Sequence, residues 1–243
     1  MKSSLTKKYK SMESIYNLKL SNDDKNYLKN VKTFNLKLEK EKREKELNSL
    51  IYSSRELKAT EILKLVAPTG NFDFFISHSG KDNEYAKAIA NILREKGFTV
   101  FVDSEYWLFF DNVAQKLNKN HLHEEKGYSG TVYDHNKTIE VQKHCDVMLL
   151  TSLSKILTGS RFVIFINSPS STINIEKQSQ YGESLSTYSP WIYFEILFSN
   201  ILFDRDKRIT EGKFFDSIEY KLDSNNMQAI TLSELVKLKK ATK

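Results

Sequence analysis

Phe72-Asp-Phe-Phe-Ile-Ser-His-Ser-Gly-Lys-Asp82 and, after a helical interval, Gly97-Phe-Thr-Val-Phe-Val-Asp103 decide the fold. The run Phe72 to Ser77 is aromatic and β-branched and stops at Ser-His-Ser-Gly, so it predicts a strand. Between Asp82 and Lys96 the apolar residues Tyr85, Ile89, Ile92 and Leu93 recur at helical spacing. Gly97 stands where a left-handed residue closes a helix, and Thr99 to Val102 is a second apolar strand. Two apolar strands joined by one helix form a βαβ unit, which implies parallel strands and a right-handed crossover. The loops Ser77 to Lys81 and Asp103 to Trp107 both follow carboxyl ends of strands, the edge of an open parallel sheet where ligands bind.

This ordered series, from Asp73-Phe-Phe-Ile-Ser-His-Ser-Gly-Lys-Asp82 to Gly97-Phe-Thr-Val-Phe-Val-Asp103, resembles the opening of a bacterial TIR (Toll/interleukin-1 receptor) domain. The resemblance implies an α/β, flavodoxin-like fold with a central parallel sheet. Here a helical, possibly coiled-coil arm over residues 1–67 would precede it, and the domain would fill residues 68–243.

Charge separates the two parts. The chain of 243 residues carries a formal net charge of +6, and residues 1–66 hold 16 Lys and Arg against 9 Asp and Glu. The basic excess therefore sits in the arm, and the remainder is near neutral, which argues against a nucleic-acid face on the globular part. From Ser21, a fair helix start with acids in its first turn, to about Val66 there is no Gly or Pro. Tyr27, Val31, Phe34 and Leu38 form one apolar seam, Glu39 to Glu46 is wholly charged, and a second seam runs from Leu47 to Leu65. One long helix or two are both compatible with this, pairing with each other or with a second copy. The single cysteine, Cys145, excludes an intrachain disulfide. No secretory leader is visible, and the most apolar window, Trp191 to Phe203, is too short to span a bilayer. A cytoplasmic, non-membrane protein is expected.

Beyond Asp103 the pattern is harder to read. Lys137 to His144 predicts a short helix and Cys145-Asp-Val-Met-Leu-Leu150 a buried strand. A second strand-like run, Arg161-Phe-Val-Ile-Phe-Ile-Asn167, follows. Either run fits the third strand of the family, and residues from about 151 to 188 read as an insertion, an added strand or hairpin over the pocket. His121-Leu-His123-Glu-Glu125 offers metal-ligand residue types without a second cluster, and no metal is expected. Phe214 to Leu222 reads as an edge strand and Leu232 to Lys240 as a last basic helix.

Ser189-Pro190-Trp191-Ile-Tyr-Phe-Glu195 opens the second informative helix: Ser189 suits the cap and Pro190 the first turn. Trp191 and Glu195 resemble the Trp-x-x-x-Glu of TIR domains that cleave NAD, and the resemblance implies that Glu195 is catalytic and that Trp191 flanks the nucleotide. The residues alone favour a buried acid paired with a base such as Arg161. The loop Ser77, His78, Ser79, Gly80 and Lys81 either receives a phosphate on its backbone amides and the helix start or merely caps the helix through Ser79 or Asp82. His78 reads as a pocket wall, Asp103 as an orienting residue of its loop, and Trp107 as a pocket wall. No other cofactor is implied, NAD⁺ being the substrate. The implied function is an NAD⁺ glycohydrolase or cyclase giving ADP-ribose or a cyclic isomer, as in Thoeris-like anti-phage signalling, with a nucleotide-activated effector downstream. The rival is a non-catalytic module that assembles through its TIR domain and helical arm into a homo-oligomer. A third reading is a nucleoside-type glycosyl-transfer enzyme on a similar sheet.

Overall fold

The structure is a computed structural model and describes residues 12–32, 37–53, 58–66, 70–104, 113–117, 135–174, 185–203 and 220–240. The chain divides into two compact units. The first comprises residues 1–32, 71–101 and 157–243, and the second residues 33–70 and 102–156.

A five-stranded sheet organises the first unit. Its strands are β1 (Ser14–Leu18), β2 (Phe72–Ser77), β3 (Val100–Val102), β4 (Ser160–Ile166) and β8 (Met227–Ile230), in the order β3-β2-β4-β1-β8. β2 and β1 both pair with β4 in parallel, and β8 pairs with β1 in parallel. The helix α4 (Asn83–Glu95) joins β2 to β3, as the spacing of Ile89, Ile92 and Leu93 predicts; all three are buried. Gly97 has a φ of 82°. Its N–H reaches Arg94 O at 2.8 Å and the Phe98 N–H reaches Leu93 O at 3.1 Å, the paired bonds of a left-handed helix stop. The order β3-β2-β4 reproduces the 2-1-3 start of a flavodoxin-like sheet, with β2 as its first strand. The sheet is parallel and flanked by helices, as the βαβ reading implies.

The next position in that sheet is filled from the amino-terminal side, and this corrects the reading of residues 1–67 as a helical arm. Residues 14–18 are a strand, inserted between β4 and β8. Ile15 and Leu18 are fully buried there. The helical signal is sound further on: α1 (Asn22–Lys29) begins at Ser21, whose hydroxyl accepts from the Asp24 N–H while the Asp24 carboxylate accepts from the Ser21 N–H. In the second unit α2 (Lys37–Ser53) and α3 (Ala59–Val66) pack on each other, burying Leu47, Ile51 and Ile62. The charged gap falls inside α2, so the seams map onto three helices: Tyr27 lies on α1, Leu47 and Ile51 on α2, and Ile62 on α3.

Two further sequence readings need correction. Cys145 to Leu150 is not a strand but lies within α5 (His135–Thr158). Four consecutive apolar residues mimic a strand, yet Cys145, Met148, Leu149, Leu153, Ile156 and Leu157 are buried at three- and four-residue spacing while Val147 is 62% exposed. The second apolar run forms β4, the central strand, so residues 151–188 are not wholly an insertion. What is added is a small antiparallel sheet of β5 (Ile173–Asn174), β6 (Leu185–Thr187) and β7 (Tyr220–Leu222), in the order β5-β6-β7. The helix α6 (Pro190–Phe203) follows β6, and α7 (Leu232–Lys237) closes the fold. Phe165, Leu185, Ile192, Ile196 and Leu222 form one buried cluster, so α6 and the small sheet cover the same face of β4.

Ion pairs lock the amino ends of β2 and β4. Arg161 donates to both carboxylate oxygens of Glu13, at 2.8 and 3.0 Å, and its guanidinium lies 3.6 Å from Asp73. Asp73 also accepts from the Thr99 N–H at 2.9 Å and from Lys240 Nζ at 2.8 Å. Burial pushes the Asp73 carboxyl up, but the hydrogen bonds from Lys240 and Thr99 outweigh it and hold the group below its ordinary value. A carboxyl depressed on folding stabilises the fold above its unfolded value of about 3.9, and that contribution is lost as pH falls through the folded value. Asp73→Asn should therefore lower the urea midpoint at pH 7, with the gap to the unsubstituted protein narrowing towards pH 3. Ile15→Ala should cost about 2–5 kcal/mol in urea unfolding, and removal of residues 12–20 should abolish the cooperative transition, whereas a detachable arm would leave it unchanged.

Candidate functional site

The sheet order reverses direction between β2 and β4: from β2 the chain goes to β3 on one side, while β4 lies on the other. The crevice outside the carboxyl ends of strands at such a point is where open α/β sheets bind ligands. Here it is bounded by Ser77, His78 and Ser79 after β2 and by Asn167 and Ser168 after β4.

A hydroxyl–carboxylate link ties these two loops together. Asp82 is 6% exposed, and its Oδ2 accepts from Ser79 Oγ at 2.6 Å and from Ser168 Oγ at 2.5 Å. Asp82 stands at the N-cap of α4 but makes no side-chain cap, and neither does Ser79 for the single turn Gly80–Asp82. The capping alternative is therefore not what these side chains do. Their geometry also places a buried carboxylate at the helix start where a phosphate was expected. After β4 the loop is wound by its own hydroxyls. Ser171 Oγ accepts from the Ser168 N–H at 2.8 Å, and Thr172 Oγ1 donates to Asn167 Oδ1 at 2.9 Å. Neither Asn167 nor Ser168 was singled out from sequence; the signal was the polar string Asn167-Ser-Pro-Ser-Ser-Thr172 directly after an apolar strand.

The remaining expected residues fall in several places. Ser77 ends β2 and is fully buried, and its Oγ has no hydrogen-bond partner among the described residues. His78 is buried beside it. Gly80 is exposed and a Cβ there would meet nothing within 4 Å, so close backbone approach within the fold does not require this glycine. Lys81 is exposed. Asp103 lies in the second unit, buried, with its Oδ1 accepting from the Ser104 N–H at 2.6 Å. Trp107 and the His121 to Glu125 stretch lie outside the described residues.

Glu195 is fully buried, on the stripe Ile192, Glu195, Ile196, Ser199 and Asn200. Ser189 Oγ accepts from the Ile192 N–H at 3.3 Å and sets the start of the helix, as the Ser-Pro signal predicts. Trp191, in the first turn, is only partly buried. Ile192 and Ile196, which flank Glu195 on the stripe, pack on Phe165. Ser77 is in register with Phe165, and residues paired across parallel strands point to the same face. Ser77 and Glu195 therefore belong to one layer, between α6 and the sheet. Arg161, the base proposed to neutralise Glu195, is engaged by Glu13 and Asp73 at the amino end of β4.

Residues 74–126 match the family model of the TIR domain. The match begins in β2, runs through α4 and β3 and stops well before α6, so it spans less than half of the chain and none of the Trp191 to Glu195 segment. No curated protein and no solved structure matches the chain. Among the described residues, no helix is long and apolar enough to cross a membrane.

The Ser79–Asp82–Ser168 link carries a structural consequence that can be measured. Removing a hydroxyl from a buried charged acceptor typically costs about 1.5–3 kcal/mol. Ser168→Ala should lower unfolding free energy by that amount. Lys81→Ala, at an exposed side chain, should shift it by less than about 0.5 kcal/mol.

Proposed function

We propose that this protein is a TIR-type NAD⁺ glycohydrolase or cyclase with Glu195 as its catalytic residue. The observation that carries the reading is a fully buried carboxylate, one turn beyond Trp191, in the same layer as the carboxyl end of β2. Fixed charge in a water-poor site is commonly the largest catalytic contribution.

The chemistry suits one carboxylate. The bond from ribose C1′ to the nicotinamide nitrogen breaks, and its electron pair stays on nitrogen. The departing ring is thereby neutralised and requires no proton. Glycosidases, whose leaving oxygen must be protonated, generally use two carboxyl groups. Glu195 would accept hydrogen bonds from the ribose hydroxyls and stabilise the cationic sugar. Water then attacks C1′, loses a proton and gives ADP-ribose, or a group of the same nucleotide attacks and gives a cyclic isomer. Because Asp82 already places negative charge at the start of α4, the diphosphate would pair with the exposed Lys81 rather than with the α4 amides. Ser77, His78 and Ser79 would line the sugar side, and Gly80 leaves room for the nucleotide to pass. Trp191 would flank the nicotinamide. Self-association, a downstream effector and a role in anti-phage signalling remain part of this proposal through the family resemblance alone.

The non-catalytic reading has its own support. The family match ends before α6 and so contains no part of the proposed catalytic helix. Glu195→Gln separates the two. The variant should melt within a few degrees of the unsubstituted protein and release nicotinamide from NAD⁺ at least about a hundredfold more slowly. Equal rates would remove Glu195 from the mechanism, and no release by the unsubstituted protein would favour an assembly module. Mass spectrometry of the product distinguishes the linear from the cyclic outcome.

A further inference from the structure

Asn17, half-buried near the carboxyl end of β1, has an acceptor left over: its Oδ1 is buried and has no hydrogen-bond partner among the described residues. The same holds for Ser77 Oγ and Asn167 Nδ2. These three atoms come from three neighbouring strands. Ser77 and Asn17 are both in register with Phe165, on either side of β4. Asn167 lies two residues beyond Phe165, and its N–H continues the ladder onto Leu18 O at 2.9 Å. Alternation along a strand puts residues two apart on one face. Ser77, Asn17 and Asn167 thus share the face that α6 covers, which is the layer of Glu195. Buried polar atoms are almost always hydrogen-bonded, and three such atoms grouped at the carboxyl edge of a parallel sheet mark a place for a polar ligand group.

The senses of these groups narrow the ligand. Thr172 Oγ1 lies closer to Asn167 Oδ1, at 2.9 Å, than to Ser168 O, at 3.1 Å, and donating its single proton to the nearer oxygen leaves Asn167 Nδ2 as the spare donor. Asn17 Oδ1 is a spare acceptor. Adjacent strands lie about 4.8 Å apart and two residues advance about 6.6 Å along a parallel strand, so diagonal neighbours are set roughly 8 Å apart, a span that one planar group can bridge by giving and taking a hydrogen bond at once. A primary carboxamide does this: its NH₂ donates to Asn17 and its carbonyl accepts from Asn167. A carboxylate offers acceptors only and would oppose Asn17 Oδ1. The Ser77 hydroxyl can serve in either sense.

Resting on the NAD⁺ reading above, we infer that Asn17 and Asn167 recognise the carboxamide of the nicotinamide ring and so determine which dinucleotide is cleaved. The strand added from the amino-terminal side would then contribute to the site as well as to the sheet. The test compares NAD⁺ with its carboxylate analogue, nicotinic acid adenine dinucleotide. The unsubstituted protein should cleave NAD⁺ with kcat/KM at least about tenfold higher than the analogue, since a site built to bond a polar group discriminates strongly against its mismatch. Asn17→Ala and Asn167→Ala should each raise KM for NAD⁺ about tenfold and shrink that ratio towards one. A purely structural role would lower both rates together and leave the ratio unchanged. Equal cleavage of both dinucleotides by the unsubstituted protein overturns this inference while leaving the NAD⁺ reading intact, and that comparison needs no variant to fold. Cleavage of neither overturns the NAD⁺ reading, and the inference with it.

Discussion

The pairing of β4 with strands on both sides is the constraint on which the first unit depends. β4 accepts β2 on one edge and β1 on the other, in parallel on each. Parallel strands cannot be joined by tight turns, so every one of these pairings links distant parts of the sequence. The amino ends are held by a charge network in which Arg161 faces Glu13 and Asp73, and Lys240 reaches Asp73 and Gly97 O. The carboxyl ends are held by Asp82 between two serine hydroxyls. The two rims therefore have different chemistry: charge pairs at one, and a single carboxylate with hydroxyls and amides at the other.

That asymmetry suits the reading of the site. A parallel sheet buries both faces and draws its polarity from its edges. Here the carboxyl edge carries a surplus of hydrogen-bonding capacity under α6, and Glu195 lies in the same layer with no exposed surface. Stability alone would favour apolar residues at Asn17 and Ser77, both in register with Phe165 at the centre of a cluster of Leu and Ile side chains. Polarity at these two positions departs from what packing alone would select.

The parts of this architecture that the sequence revealed are those with local causes. The βαβ unit from Phe72 to Val102 announces itself by strand, helix and Gly97 within one window, and α6 by Ser189, Pro190 and a run of apolar residues. The capping box at Ser21 is legible for the same reason. β1 is not, because Ser-Ile-Tyr-Asn-Leu is an unremarkable pentapeptide until it meets partners at residues 162–166 and 227–230. Cys145 to Leu150 misleads because a four-residue apolar run carries no period of its own, and only the wider stripe to Leu157 reveals the helix. Among the candidate residues, Ser77 and Glu195 stand in motifs that can be read in the sequence. Asn17, Asn167 and the Asp82–Ser168 bond do not, since each exists only once distant segments are side by side.

The position of β1 also bears on how the protein is made. A ribosome releases this strand long before β4 and β8, between which it must fit. Until residue 166 has emerged both of its edges stay unpaired, and the edge that takes β8 stays so until residue 230. Such a nascent segment is open to wrong partners, and non-local parallel pairing of this kind slows folding. A strand made early is thus among the last to be paired on both edges, and this chain gains from shelter of the newly made polypeptide until β8 is out.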